Sequence, residues 1–477
     1  MRWNWILLGA AAAALAAAGG CAVGPDYHPP APAAVPATWQ ALPGGGVTDR
    51  QIGTAEWWKG FGDPMLNSLV GRALASNPDL RAVEARLRQS RAVREMSAAG
   101  LRPTLDASGS YAKEKISRNQ PLFGALPLPP NFPYKYSVYQ AGFDASWEID
   151  IFGAKRRALE AATADWESAA EARNDAVVSL EAEVARDYVE LRGSQRRLEV
   201  ARRNVASQQQ TLELTRARFE AGLASELDPT RAASLLAGLQ AAVPAQEAAV
   251  TQAMYGLAAL LGREPGALVA ELSPPSPIPP VPPDVPVGLP ADLLRRRPDV
   301  RRAERQLAAA PARIGPAKAD WFPRLSLNGD AGLESVSVEK WFEPNSLFWS
   351  LGPSLQWRAL DFGRVKAEVA AQTAAQEGAL AAYEEAVVAA LRDAEDALVA
   401  YARGENRREA LARELAEDRR AVAMADGLYA EGQVNFLSVL DARRSLYQAE
   451  DQVAACDQAV SIDLIALFKA LGGGWEK

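Results

Sequence analysis

The stretch RPDVRRAERQL, residues 297–307, is written a second time as NPDLRAVEARL, residues 77–87. Pro298, Asp299, Arg301, Glu304 and Leu307 answer Pro78, Asp79, Arg81, Glu84 and Leu87 at a constant spacing of 220 residues. Both stretches read as the start of a helix. Asn77 stands where a cap is wanted, proline takes the first helical position, and aspartate sits in the positively polarised first turn.

The correspondence continues along the chain. Pro103 and Leu105 answer Pro323 and Leu325, still 220 apart. Trp147, Phe152 and Gly153 then answer Trp357, Phe362 and Gly363 at 210, as do Ala176-Val177-Val178 and Ala386-Val387-Val388. Gly222 and Gly432, Leu227 and Leu437, and Leu261-Gly262 and Leu471-Gly472 keep that register. The first copy therefore carries ten additional residues between Leu105 and Trp147. A repeat of this length is a duplicated structural unit, too long for a solenoid.

Each unit reads as short helix, strand pair, long helix, turn and long helix. The expected division is a signal peptide over 1–20 and an N-terminal lipidated and equatorial segment over 21–62. A first repeat covers 63–262, with strands at 104–113 and 136–147 and long helices at 154–221 and 225–262. A linker covers 263–290. The second repeat, 291–471, has strands at 325–336 and 347–357 and helices at 363–431 and 435–471, with a tail over 472–477. The linker contains SPPSPIPPVPPDVPVGLP, residues 273–290, whose prolines forbid helix and sheet and predict an extended connection.

Composition narrows the function. Over 477 residues the formal net charge is −7, which speaks against a nucleic-acid partner. Two cysteines and one histidine supply neither a Cys/His metal set nor a nucleophile–base pair, so no enzyme activity and no cofactor are expected. Arg2 and the apolar run Trp3 to Ala18 form a targeting segment. Ala18-Gly19-Gly20-Cys21 reads as a bacterial lipoprotein cleavage site with Cys21 acylated in membrane lipid; cleavage after Ala16-Ala17-Ala18 is the alternative. Cys456, on the last helix, is expected to pack as a small apolar residue. Beyond residue 21 no run of 18 apolar residues exists, so a further membrane span must be a closed barrel.

Four segments supply strands for one. In YSVYQAGFDASW (136–147), Tyr139, Ala141, Phe143, Ala145 and Trp147 alternate with Gln140, Gly142, Asp144 and Ser146. Residues 325–334 and 347–357 follow the same rule, and 104–111 follow it more weakly. Period two with aromatics toward the segment ends suits transmembrane barrel strands, although one half-buried soluble strand would alternate alike. Four strands cannot close a barrel, since about eight is the practical minimum, so the count demands an oligomer. Two or three chains both satisfy it.

The helices carry a second pattern. Val177, Val184, Leu191, Leu198, Val205, Leu212 and Phe219 form a seven-residue stripe, and Val387, Ala394, Tyr401, Leu415, Val422 and Tyr429 repeat it with Arg408 as the exception. A strict heptad means helices packed lengthwise with a left-handed bias. A narrow seam among polar positions predicts a wall one helix thick.

CAVGPDYHPP (21–30), WWKGFGDPMLNSLV (57–70), VGLPADLLRRRPDVRRAER and LDFG (360–363) together resemble the TolC/OprM-type outer-membrane efflux ducts, in their lipoprotein branch. The resemblance covers essentially the whole mature chain. It implies an α+β fold: a homotrimer sharing a twelve-stranded transmembrane β-barrel, continued by a long periplasmic α-helical barrel. It implies a passive outer-membrane channel in a tripartite, RND-type multidrug efflux system, working with a periplasmic adaptor (membrane fusion) protein and an inner-membrane efflux transporter. A duct for type I protein secretion and a periplasmic coiled-coil adaptor or scaffold are the alternatives.

The resemblance also places the functional residues at the helix-to-helix turns. Gly222, Leu223, Ala224, Gly432, Gln433 and Val434 would meet the adaptor, with the two glycines supplying positive φ. Leu437 and Asp441, one turn apart, match the family's constriction, with Arg444 three residues on. Near a three-fold axis they would form an apolar ring and a carboxylate ring that favours cations. The competing reading makes Leu437 core and Asp441–Arg444 a surface i,i+3 pair. The first repeat has Arg231 in place of Asp441.

Overall fold

The computed structural model describes residues 22–30, 36–40, 47–48, 56–117, 133–282 and 285–475. The targeting segment and Cys21 lie outside them, as do most of the ten residues added to the first repeat. The elements in chain order are β1 (Val47–Thr48), α1 (Pro64–Ser76), α2 (Pro78–Ala99), β2 (Thr104–Lys115), β3 (Lys135–Ile149), α3 (Ala154–Glu220) and α4 (Leu227–Leu260). After the linker come β4 (Val285–Pro286), α5 (Pro290–Arg296), α6 (Pro298–Ala319), β5 (Arg324–Ser335), β6 (Leu347–Gln356), α7 (Arg364–Ala430) and α8 (Phe436–Ala470). At 1.5 Å per residue, the 67 residues of α3 or α7 span about 100 Å.

Two compact units share these elements: Met1–Pro29, Arg88–Glu167 and Arg305–Ala381 form one, and Pro30–Leu87, Ser168–Glu304 and Ala382–Lys477 the other. The first unit contains one antiparallel sheet in the order β2-β3-β5-β6. Its register keeps odd-numbered residues together: Leu105 faces Ala145, Phe143 faces Ala331, and Ala331 faces Trp349. That face is mostly apolar and exposed, with Leu105, Tyr111, Phe143, Trp349, Leu351 and Leu355 all open to the surroundings, and it turns polar at one end with Lys113, Lys115 and Lys135. The even-numbered face is polar, carrying Ser108, Ser110, Ser146, Asn328 and Ser354. Alternation fixes the faces because a one-residue slip would invert every side chain. Beside the sheet, Phe152 stacks on Phe322 at 4.4 Å, while Arg305 reaches Glu167 (3.2 Å) and Arg313 reaches Asp165 (2.6 Å).

The second unit explains why the helix start is duplicated. Asn77 caps α2 by accepting from the Leu80 N–H at 2.8 Å, and its amide donates to the Leu260 carbonyl at the end of α4. In the second copy Arg297 occupies that place and donates to the Ala470 carbonyl at the end of α8, at 3.2 Å. Leu260 and Ala470 are themselves 210 residues apart. Each repeat thus ties its opening helix pair to the orphan carbonyls that end its last helix. Gly262 and Gly472, at φ 64° and 74°, let the chain pass there: a Cβ on Gly262 would meet the Ser76 carbonyl at 2.9 Å. The core around these joints includes Phe61, Leu66, Leu69, Tyr188, Leu257 and Leu464, all fully buried.

Three expectations need correction. Each unit opens with two helices where one was expected: α2 and α6 start at Pro78 and Pro298 as the sequence predicts, but α1 and α5 precede them and end at Asn77 and Arg297, which stand before proline and leave helical geometry. The stretch expected to be free of sheet is not wholly so, since Val285–Pro286 pair in parallel with Val47–Thr48; a helical turn, Val269–Leu272, precedes that stretch. A ladder end tolerates proline because no further bond depends on its missing N–H. The stripe on α3 is buried at Val177, Val184, Leu191 and Leu212, but Phe219 at its end is exposed. On α7 the seam steps sideways around Arg408, which pairs with Glu405 at 2.8 Å, and Leu411 is buried in its stead.

Candidate functional site at the helix-to-helix turns

Both turns lie in the second unit and close by the same backbone device. The N–H groups of Gly222 and Leu223 donate to the carbonyls of Phe219 (2.9 Å) and Arg218 (2.8 Å). Those of Gly432 and Gln433 donate to Tyr429 (3.1 Å) and Leu428 (2.9 Å). This paired pattern requires a left-handed residue after the helix, and the glycines meet it at φ 73° and 76°. Asn435 then caps α8, its side chain accepting from the Ser438 N–H at 3.2 Å.

A small core holds the turns together: Leu212 from α3, Ala232 and Leu236 from α4, Tyr429 from α7, and Phe436, Val439 and Leu440 from α8. Tyr429 lies 5.6 Å from Phe436, and the Arg218 guanidinium sits over its ring at 4.4 Å. Burial pushes the Tyr429 phenol above its ordinary range.

The residues singled out from the sequence divide here. Leu223 and Gln433 are exposed, Leu223 at 70%. Ala224 and Val434 are not the open contacts expected of them. Ala224 is half-buried, and Val434 packs against the turn core because the residue before a cap staples onto the first turn of the helix that follows. Leu437 and Asp441 fall on one exposed face of α8, and Arg444 stands 3.9 Å from Asp441 with both side chains more than half open. Within one chain that is a loose surface pair. Such pairs contribute a few tenths of a kcal/mol at most.

Sequence reasoning missed the neighbouring residue. Arg443 is largely buried and donates to Asp426 on α7 at 2.8 Å and to the Ser207 hydroxyl on α3 at 3.1 Å. The Tyr447 hydroxyl lies 3.2 Å from that same Ser207 oxygen. Three helices therefore meet on one guanidinium, one turn from the exposed Leu437–Asp441 face. The only hint in the sequence was a second arginine beside Arg444. Farther along, Arg197 holds Asp451 with two bonds at 2.8 and 3.0 Å.

Comparison with known proteins gives this arrangement its context. The model of the outer membrane efflux protein family matches residues 69–263 and 289–473, the two repeats separately. The pyoverdine export outer membrane protein OpmQ of Pseudomonas aeruginosa is 32% identical over 445 residues, covering 93% of this chain and 92% of its own. The solvent efflux pump outer membrane protein SrpC of Pseudomonas putida is 33% identical over 471 residues, covering 97% of each. Among solved structures, the outer-membrane channel OprN superposes with a TM-score of 0.88 at 36% identity, over 95% of this chain and 100% of that one.

Proposed function

This chain belongs to the outer membrane efflux protein family, and from that membership we propose that it is the passive exit duct of a tripartite multidrug efflux system. It is an outer-membrane channel component of an efflux system; the finer reading concerns its assembly and its gate. Three copies share one twelve-stranded barrel, Cys21 carries the lipid anchor, and the helix-to-helix turns meet a periplasmic adaptor coupled to an inner-membrane transporter. Transport energy comes from that transporter, and the duct performs no chemistry of its own.

One observation carries the reading. The four-stranded sheet exposes an apolar face, bounded at one end by Lys113, Lys115 and Lys135, and ends in two open edges, β2 and β6. In a bilayer an open edge leaves backbone N–H and C=O groups unpaired at several kcal/mol each, so the sheet must close on further copies. Small-molecule cargo is favoured over secreted protein because OpmQ and SrpC are named for pyoverdine and solvent export.

Leu437 and Asp441 form the gate in this reading, with Arg444 free to reach an acid of a neighbouring copy, and Leu223 and Gln433 offer the adaptor contact. The test has two parts. Native mass in mild detergent should be that of a trimer; a monomer removes the shared barrel. Leu437→Ser with Asp441→Ala should raise single-channel conductance in planar bilayers, and unchanged conductance would move the constriction elsewhere.

A further inference from the structure

We infer that the barrel closes by pairing β6 of one copy antiparallel to β2 of the next in one register, in which Arg358 of one copy stands opposite Asp106 of its neighbour. The inference rests on the proposed shared barrel and adds its register and its charge pairing.

The register follows from the duplication. Sequence alone places first-strand residues 220 apart between repeats and second-strand residues 210 apart. Applied to the hairpin of the first repeat, these offsets turn Thr104↔Ser146 into Arg324↔Gln356, and Leu105↔Ala145 into Leu325↔Leu355. Both are observed pairs of the second hairpin. The two hairpins are therefore equivalent residue by residue, although nothing in the chain forces the second to copy the first.

One contact between repeats is visible: β3, a second strand, pairs with β5, a first strand. Its equivalent joins β6, the other second strand, to β2, the other first strand. Within one chain these are the opposite outer strands of the sheet, so the contact is made by another copy. The same offsets convert Asp144↔Asp330 into Ser354 opposite Ser110, and Trp147↔Leu327 into Trp357 opposite Ala107. Glu148↔Ser326 becomes Arg358 opposite Asp106.

Odd residues meet odd residues by the parity this register inherits: Leu355 falls opposite Gly109 and Pro353 opposite Tyr111, while Lys113 and Lys115 on the same face fall opposite Leu351 and Trp349. Two features beyond that parity agree with the register. β3 extends to Ile149, whereas β6 stops at Gln356, three residues short of the equivalent Ala359; the unpaired edge is where the difference falls. A cation also meets an acid there. Asp106, Asp144 and Asp330 lie directly abreast on three neighbouring strands, an arrangement in which like charges destabilise the ladder. Asp144 accepts from Ser108 at 3.0 Å and Asp330 accepts from the Ser350 hydroxyl. Asp106 has no salt bridge among the described residues, and the exposed Arg358 has none either, its nearest influence being on Asp361, which already accepts from the Gly363 and Val365 N–H groups. The register brings the cation into the acidic row. Pro353 withholds one N–H from the ladder, and the other nine residues of β6 keep theirs.

The test uses full-length protein in outer membranes, with Cys456→Ala to remove the background thiol. Ser354→Cys combined with Ser110→Cys places two thiols directly opposite, within disulfide reach; cysteine at Ser108 or Ala112 is diagonal, about 7–8 Å away. Oxidation should give covalent dimers and trimers on non-reducing gels with Ser110→Cys, and near-complete loss of them with the diagonal partners. Stronger cross-linking at Ser108 or Ala112, or none in a protein whose native mass is trimeric, overturns the register. A monomeric native mass overturns the shared barrel itself. Arg358→Glu should lower the temperature at which the trimer dissociates, and adding Asp106→Arg should restore it. Failure of that rescue with Ser354–Ser110 cross-linking intact would overturn the charge pairing alone.

Discussion

Glu181 on α3 is the residue whose environment is most at odds with its chemistry. It is 1% exposed, and its Oε2 has no protein hydrogen-bond partner. It lies against Gly474, where the backbone runs at φ 116° and no Cβ would fit, close to the Trp57 indole N–H, which is also unpartnered. Burial pushes the carboxyl up to about 9. Below an ordinary carboxyl value both folded and unfolded chains hold the proton, and nothing is lost. Above it the unfolded chain ionises while the folded chain does not, so stability falls as pH rises, until the folded carboxyl ionises in turn. Over that window stability drops by about 1.4 kcal/mol for every step of one in pH, which puts the cost near pH 7 at roughly 3 kcal/mol. Glu181→Gln keeps the shape and removes the proton equilibrium. It should raise the thermal midpoint at pH 7 to 8 and leave it unchanged near pH 4. An equal effect at every pH would mean that the carboxyl is solvated in the assembled protein.

At the scale of elements, the sequence was most readable where one period governs many residues. Alternation through Tyr139–Trp147 located a strand and its apolar face, and the seven-residue stripe from Val177 to Leu212 located a buried seam, because each repeats a local geometric demand. What it could not reveal were pairings between distant residues. Val285–Pro286 joins Val47–Thr48, and Arg443 joins Asp426 and Ser207, through contacts that leave no periodic trace. Val434 lies in the turn as the sequence predicts, but it is half-buried because its neighbour Asn435 caps a helix and draws it inward. Arg443 is the useful case, since it ties α8 to both α3 and α7. Arg443→Met keeps the length of the side chain and removes its bonds, leaving Asp426 without its cation. A hydrogen-bonded, partly buried charge pair of this kind contributes about 1.5–3 kcal/mol. The turns should open more readily, seen as faster protease cleavage near Gly222 and Gly432 with the sheet intact. Cleavage at the rate of the unaltered protein would show that the small core of Leu212, Phe436 and Leu440 holds the turns alone.

For the whole molecule, the orientation of the sheet decides where the protein resides. Odd-numbered residues face lipid if the sheet forms a barrel wall, and even-numbered residues then line the lumen. The same alternation in a soluble sheet would put the apolar face against a protein core instead. Leu351 and Ser350 are adjacent on β6 and point to opposite faces, which makes them a direct comparison. Leu351 is 68% exposed and sits beside Gly329, whereas the Ser350 hydroxyl donates to Asp330. A lysine on the lipid face near mid-bilayer costs about 2–4 kcal/mol, or roughly 30- to 1,000-fold in the folded, inserted fraction. A lysine at Ser350 meets a wet lumen and an acidic neighbour. Leu351→Lys should therefore deplete detergent-resistant trimers from the outer membrane, while Ser350→Lys should leave their amount near that of the unaltered protein. Equal depletion would place both faces against protein, and equal tolerance would mean that the odd face never meets hydrocarbon. Either result would overturn the barrel wall, because a membrane sheet has one face that accepts charge and one that does not.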